Sequence, residues 1–335
     1  MRNMTVEYLR VIFIFLIVLL HILWTDYGGV YLLPSNHSTE AYIQLGLTNL
    51  TSIGVTGFIL ISGYYGVKLK ISRILSLWIQ TTTYALISVV VIFIIGGDGS
   101  FVKKVFDAPL MLFDGCWWFV TDYLILMLLS PFLNAGLDIL NKRQLLLVIS
   151  VLSFIMYGAE WYHAKNASTP LLLFFNTYLV GRYIKLYPVN SLRQFKYPIF
   201  IIGLSVLIVE PMILHAIGLD GKMKFVSGNF NVLVLITDIS LLQICLSQQK
   251  MGKGNFLTRN VLAIYLVHES EFGRKILHEN IFYDGRAIDF VFILAIVVFV
   301  VAASVLIEEV RRYLFGNFER VCIAKVESIF NLDKK

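Results

Sequence analysis

Apolar residues dominate this chain in runs of roughly 17 to 25, the length an α-helix needs to cross the ~30 Å hydrocarbon core of a bilayer. Ten such runs are predicted as spans, near residues 8–25, 43–64, 74–95, 117–136, 144–160, 169–187, 197–217, 230–248, 256–270 and 287–309. The ninth is the shortest and is polar at both ends. The pattern predicts an all-α fold, a polytopic membrane helical bundle of about ten transmembrane helices. Beyond the last span, Leu314, Phe318, Val321, Cys322, Val326, Ile329 and Phe330 recur at helical spacing, with Arg320, Lys325 and Glu327 between them. Residues 311–335 are therefore expected to form a cytoplasmic amphipathic tail on the inner membrane surface, behind a membrane domain of residues 1–310. The first run follows Arg2 and Arg10 but lacks a small-x-small cleavage site, so it reads as a retained helix and not as a signal peptide.

Composition agrees with this pattern. Of 335 residues, 58% are hydrophobic and 15% charged, against roughly 25% charged in soluble domains, which excludes an ordinary soluble fold. The net charge of +6 is explained by topology and calls for no nucleic acid as partner. Of the 28 Lys and Arg, 20 fall in the termini and loops on the N-terminal side of the ten spans and 8 on the other. By the positive-inside rule both termini are expected in the cytoplasm. Cys116, Cys245 and Cys322 have neither CxxC nor metal-ligand spacing, so no disulfide or metal site is expected.

A charged or titratable side chain inside a span costs roughly 2.5 to 3.5 kcal/mol at the helix centre on insertion scales, which makes each one a candidate functional group. These are Arg10, His21, Asp122, Glu210, Asp238, His268 and Asp289. Arg10 and His21 are eleven residues apart, about three helical turns with roughly 20° left over, so they share one face and lie ~16 Å apart along it. That stripe offers a fixed cation for an anionic ligand entering from inside and an imidazole deeper in. His215, just over a turn after Glu210-Pro211, is a weaker candidate. Two further landmarks are Ser62-Gly63-Tyr64 at the inner end of the second span, with Lys68, Lys70 and Arg73 after it, and Trp117-Trp118-Phe119 with Asp122 and Tyr123 one turn on. Small residues permit close helix or ligand approach, and paired Trp at a span end commonly forms an interfacial belt.

Together these pieces resemble the acyltransferase-3 family of bacterial integral-membrane acyltransferases. The likeness rests on Arg10 followed by ten residues and His21, on Ser62-Gly63-Tyr64, on Trp118-Phe119 with Tyr123-Leu124, and on Tyr265-Leu266-Val267-His268, in that order over residues 4 to 310. The resemblance implies transfer of an acyl group, usually acetyl, from cytoplasmic acetyl-CoA to a hydroxyl of a cell-surface or lipid-linked polysaccharide. It implies a multi-pass protein of the bacterial plasma membrane, with acyl-CoA, glycan and membrane lipid as partners and homo-oligomerisation left open.

On that reading His21 is the general base, or in a less favoured variant a covalent acyl carrier. Arg10 binds a CoA phosphate, and Ser62, Lys68 and Arg73 line the CoA entrance, although the lysines and Arg73 are equally explained by the positive-inside rule. Trp117, Trp118, Tyr123 and His268 are expected against substrate; His268 is equally a helix-end residue. The carboxylate that orients His21 is sought among Asp122, Glu210, Asp238 and Asp289, with Asp122 chosen because it accompanies the Trp-Trp motif. Two departures stand out. No arginine-rich run follows the Ser-Gly-Tyr segment beyond Arg73-Ile-Leu-Ser-Leu-Trp78, and no hydrolase domain is expected after the tenth span. The competing class is a transporter for a lipid-linked sugar, which would also carry intramembrane charges, but the paired halves common among transporters are not found.

Overall fold

A computed structural model describes residues 2–23, 37–96, 100–113, 115–161, 169–219, 228–248, 250–254, 256–280 and 290–330. Among these, fourteen α-helices carry the fold. The first half holds α1 (Met4–Leu23), α2 (Thr39–Thr51), α3 (Ile53–Tyr65), α4 (Ile71–Ile94), α5 (Phe101–Asp107), α6 (Trp118–Ile139) and α7 (Lys142–Trp161), with a 3₁₀ turn at Ala108–Phe113 between α5 and α6. The second half holds α8 (Pro170–Leu186), α9 (Asn190–Gln194), α10 (Lys196–Ala216), α11 (Val232–Ser247), α12 (Val261–His268), α13 (Glu271–Asn280) and α14 (Phe290–Phe330). Two short strands, β1 (Arg2–Asn3) and β2 (Met251–Gly252), pair antiparallel and fasten the start of α1 to the α11–α12 connection. Asn3 Oδ1 then accepts the N–H groups of Thr5 at 3.0 Å and Val6 at 3.3 Å, capping α1.

Every predicted span overlies helix, but the segments differ in length. Six are long and apolar enough to cross a membrane: Met4–Leu23, Ala41–Tyr65, Ile71–Ile94, Trp118–Ile139, Lys196–Ala216 and Val291–Ile329. The remaining predicted spans fall short of that standard. α8 has 17 residues, α11 has 16 and α12 has 8, and α7 opens on Lys142-Arg143-Gln144. The ninth span is a broken helix, with α12 ending at His268 and α13 starting at Glu271. Phe93, Ile94, Phe132, Ile139, Phe154 and Phe299 present large apolar surfaces outward, as a fold facing hydrocarbon requires.

Glycines set the closest helix contacts. α3 and α8 cross with backbones touching: a Cβ on Gly63 would lie 2.4 Å from Tyr178 O, and one on Gly181 2.6 Å from Leu60 O. The Ser-Gly-Tyr motif therefore has a packing reason for its glycine. The chain leaves α3 through Gly66, whose φ of +78° suits glycine alone among ordinary residues. That turn is then pinned from below: Tyr178 Oη accepts the Val67 N–H at 3.3 Å and donates to Asn134 Oδ1 at 2.9 Å, and the Asn134 amide donates to Val67 O at 3.0 Å.

The helix that carries the tenth span continues unbroken for 41 residues. Where it leaves the apolar segment, Glu308 is fully buried and accepts from Tyr84 at 2.6 Å, Gln80 at 3.3 Å and Arg311 Nε at 2.7 Å. Arg311 also reaches Glu319 at 3.1 Å, and Ser76 donates to Glu319 at 2.7 Å. A buried ion pair of this kind is tolerated because its remaining polar atoms are satisfied; removing one partner typically costs about 3–5 kcal/mol. The network joins α14 to α4 at Ser76, Gln80 and Tyr84.

Candidate active site

Arg10, Ile14 and Ile17 line one cavity of about 760 Å³, and His21 continues the same stripe of α1 by one more turn. The cavity mouth gathers helix ends from across the chain: Asn3 before α1, Tyr65 and Gly66 after α3, Arg73 in α4, Lys185 in α8 and Met251 in β2. Arg10, Arg73 and Lys185 make it cationic, with Glu7 holding Arg10 at 2.7 Å. Lys185 also sits over the Tyr64 ring, 4.9 Å from its centroid. Farther in, the wall turns apolar and aromatic, with Phe58, Phe119, Val120, Leu262 and Tyr265. Phe119 and Tyr265 pack with ring centroids 5.9 Å apart, and Tyr265 meets the His268 ring edge-on at 5.9 Å. Those aromatics separate the cavity from a pair of imidazoles.

His21 Nδ1 lies 2.9 Å from His268 Nε2. The other nitrogen of His268, Nδ1, is 2.6 Å from the carbonyl oxygen of Ile264, one turn back in α12. A carbonyl only accepts, so His268 carries its hydrogen on Nδ1 and presents a lone pair from Nε2. Two lone pairs cannot face each other at 2.9 Å, so with one proton per ring His21 Nδ1 is the donor and the lone pair of His21 is on Nε2. Glu269 Oε1 lies 3.1 Å from His21 Nδ1, near enough for charge pairing, while the N–H of His21 is directed at His268 and Oε1 accepts no hydrogen bond from a described residue. The other carboxylate oxygen, Oε2, is ion-paired with Arg274. Glu269 is almost wholly buried; its backbone oxygen accepts from Cys116 Sγ at 2.9 Å. It occupies the break between α12 and α13, where the polar backbone of a broken helix is turned inward.

The predicted residues are distributed unevenly over this geometry. Arg10, Ser62, Arg73 and Tyr123 line the cavity, and His21 and His268 are brought into direct contact. Asp122 is a correction: it stands near α6's first turn without a hydrogen bond or ion pair to any described residue, and the carboxylate at His21 is Glu269. Glu210 and Asp238 are elsewhere too, Asp238 bonding the hydroxyl of Thr56; Asp289 lies outside the described residues. Lys68 is exposed and does not line the cavity, whereas Lys185, counted only as a topological charge, does. Trp117 is fully buried, and Trp118 packs on Phe119 and Phe174 at 5.9 and 6.3 Å, so neither lines the cavity. His268 is buried as well and meets His21 instead of open space. His215 belongs to a separate cluster, stacked on His37 at 4.6 Å and edge-on to Tyr42 at 5.2 Å.

His21 Nδ1, His268 Nε2 and Glu269 Oε1 all lie within 4.8 Å of one another, a spacing at which three side chains can share a cation. The same atoms can share a proton, with His21 Nδ1 donating to His268 Nε2. Two imidazoles in contact, a buried carboxylate beside them and a cationic cavity behind the neighbouring aromatics make this the candidate site of a membrane-embedded protein. The family model described as "Acyltransferase domain" matches residues 5–309, so the chain belongs to the acyltransferase-3 family of membrane acyltransferases. No curated protein and no solved structure is significantly similar to it.

Proposed function

We propose that this acyltransferase moves an acyl group, acetyl foremost, from cytoplasmic acyl-CoA to a hydroxyl of a cell-surface or lipid-linked polysaccharide at the bacterial plasma membrane. The observation that carries the reading is the single face of α1, on which Arg10, Ile14 and Ile17 follow the cavity and His21 comes next, with its Nδ1 against His268. A cationic mouth formed by Arg10, Arg73 and Lys185 suits the phosphates of CoA, Arg by forked hydrogen bonds and Lys as a point charge. The apolar and aromatic part of the wall suits the pantetheine arm and a short acyl group.

In this scheme His21 Nε2 takes the proton of the acceptor hydroxyl as its oxygen attacks the thioester carbonyl. The C–S bond breaks, and the imidazolium returns the proton to the departing CoA thiolate. The Glu269 carboxylate stabilises that imidazolium, and His268 holds the ring in register. The cationic mouth, on the side richer in Lys and Arg, is assigned to the cytoplasm.

Proton NMR of surface polysaccharide tests the reading, in cells with no copy, wild type or His21→Ala at matched membrane levels. O-acyl signals present with wild type and lost with His21→Ala are expected. Identical acylation in all three, with altered amount or export of the polymer, points to transport instead.

A further inference from the structure

A second cavity, of about 680 Å³, opens at the opposite end of α4 from the cavity lined by Arg10. Ser88, Lys103, Lys104, Asp107 and Glu271 supply its polar wall, with Leu110 and Met111 beside them. It is bonded into the turn that orients the base. Ser88 Oγ accepts the backbone N–H of Phe272 at 3.1 Å, and Lys104 is ion-paired with Glu271, two residues from the carboxylate at His21. The cleft is thus tied, through Phe272 and Glu271, to the chain segment that follows Glu269.

Two ammonium and two carboxylate groups leave these walls without net charge, so they select no ion. They offer donors and acceptors interleaved, next to apolar side chains. A saccharide matches that surface: its hydroxyls both donate and accept, and its C–H faces are apolar. The volume falls within the ~300–1,000 Å³ of small-ligand sites. We propose that this cleft is the acceptor site and takes an uncharged, hydroxyl-rich saccharide unit whose reacting hydroxyl is turned toward His21. The assignment rests on the acyltransferase reading above.

Lys103 and Asp107 are both exposed, so replacing them opens no core and K103A/D107A is expected to accumulate normally. Membranes with wild type or the double variant at matched levels are given radiolabelled acetyl-CoA. Separate arms add the solvent-extracted glycolipid or the delipidated polysaccharide of the same host. The variant is expected to need at least about tenfold more acceptor for half-maximal labelling, with half-saturating acetyl-CoA changed less than about twofold, since loss of one or two polar contacts is on that scale. The arm that takes label tells whether the glycan is lipid-borne or free. Added salt should leave the wild type's acceptor dependence unchanged; a steep salt dependence overturns the uncharged class. Equal acceptor dependence in wild type and variant overturns the cleft's role while acyl transfer stands. Absence of label in both arms with wild type overturns the acyltransferase reading and the cleft with it.

Discussion

His21 and His268, 247 residues apart in the chain, meet nitrogen to nitrogen at 2.9 Å, and the carbonyl of Ile264 decides which of them donates. The relationship separates their roles. His21→Ala removes the base itself and is expected to lower acyl transfer by about 10²–10⁴-fold. His268→Ala leaves the His21 N–H without its acceptor, a loss of about 1–3 kcal/mol or roughly 5- to 150-fold in rate, with half-saturating acetyl-CoA unchanged. Steady-state labelling at matched protein levels checks both, and a His268→Ala enzyme as fast as wild type would remove His268 from the cluster.

Glu269→Gln conserves shape but deletes the charge beside His21 and the ion pair to Arg274. Transfer is expected to fall by about 10²-fold or more, since loss of the orienting carboxylate in the comparable serine-protease triad costs about 10⁴. Asp122→Asn, which alters a carboxylate without a hydrogen bond or ion pair to any described residue, is expected to change the rate far less. The two rates measured side by side test the placement of the carboxylate, and reversed effects would restore Asp122.

Chelation is expected to leave the enzyme active. A cation held by His21, His268 and Glu269 would need both facing ring nitrogens as lone-pair donors and would displace the proton that they share in the proposed scheme. Protein dialysed against a strong chelator should retain transfer to within about twofold, with no stoichiometric metal by elemental analysis. One equivalent of zinc whose removal abolishes activity would recast the cluster as a metal centre.

Arg10 and Lys68 are both basic residues on one side of the bundle, yet only Arg10 lines the cavity. Arg10→Ala should raise the acetyl-CoA concentration for half-maximal rate by about 10- to 100-fold, the scale of a lost charge-assisted hydrogen bond. Lys68→Ala should shift it by less than about twofold. Donor titrations of the two variants separate a binding residue from a topological charge.

Gly63→Ala forces a methyl group into Tyr178 O, while at Gly136 nothing lies within 4 Å of the added Cβ. Overpacking at Gly63 is expected to destabilise by about 1–3 kcal/mol. Gly136→Ala, in an open stretch of α6, is expected to stabilise by about 0.4–1 kcal/mol. Thermal unfolding in one detergent compares them, and equal midpoints would contradict the close crossing of α3 and α8.

Helix rotation alone placed Arg10 and His21 on a common face, because that relation is local to one regular element. The partner of His21 was not legible in this way. Glu269 falls at a break in a short helix, where hydropathy reads a polar boundary, and no periodicity links it to a residue in α1. The Trp-Trp motif drew attention to Asp122, but Trp117 and Trp118 are packing residues and carry no information about a carboxylate's direction. Charge counting sorted Lys68 and Lys185 onto one side and left unresolved which of them faces inward. Hydropathy likewise located apolar segments without fixing their length, since it smooths over the turn at Ser52 between α2 and α3 and the break at Glu269-Ser270.

The distance along the chain between the two imidazoles also sets a clock. At synthesis rates of roughly 5–20 residues per second, the ribosome reaches His268 on the order of ten seconds or more after His21. Throughout that interval the first helix sits in the bilayer with its base unoriented, and the carboxylate and its arginine arrive only with the penultimate helices. A chain stopped anywhere before His268 therefore carries Arg10 and His21 but neither the second imidazole nor the carboxylate and arginine that follow it.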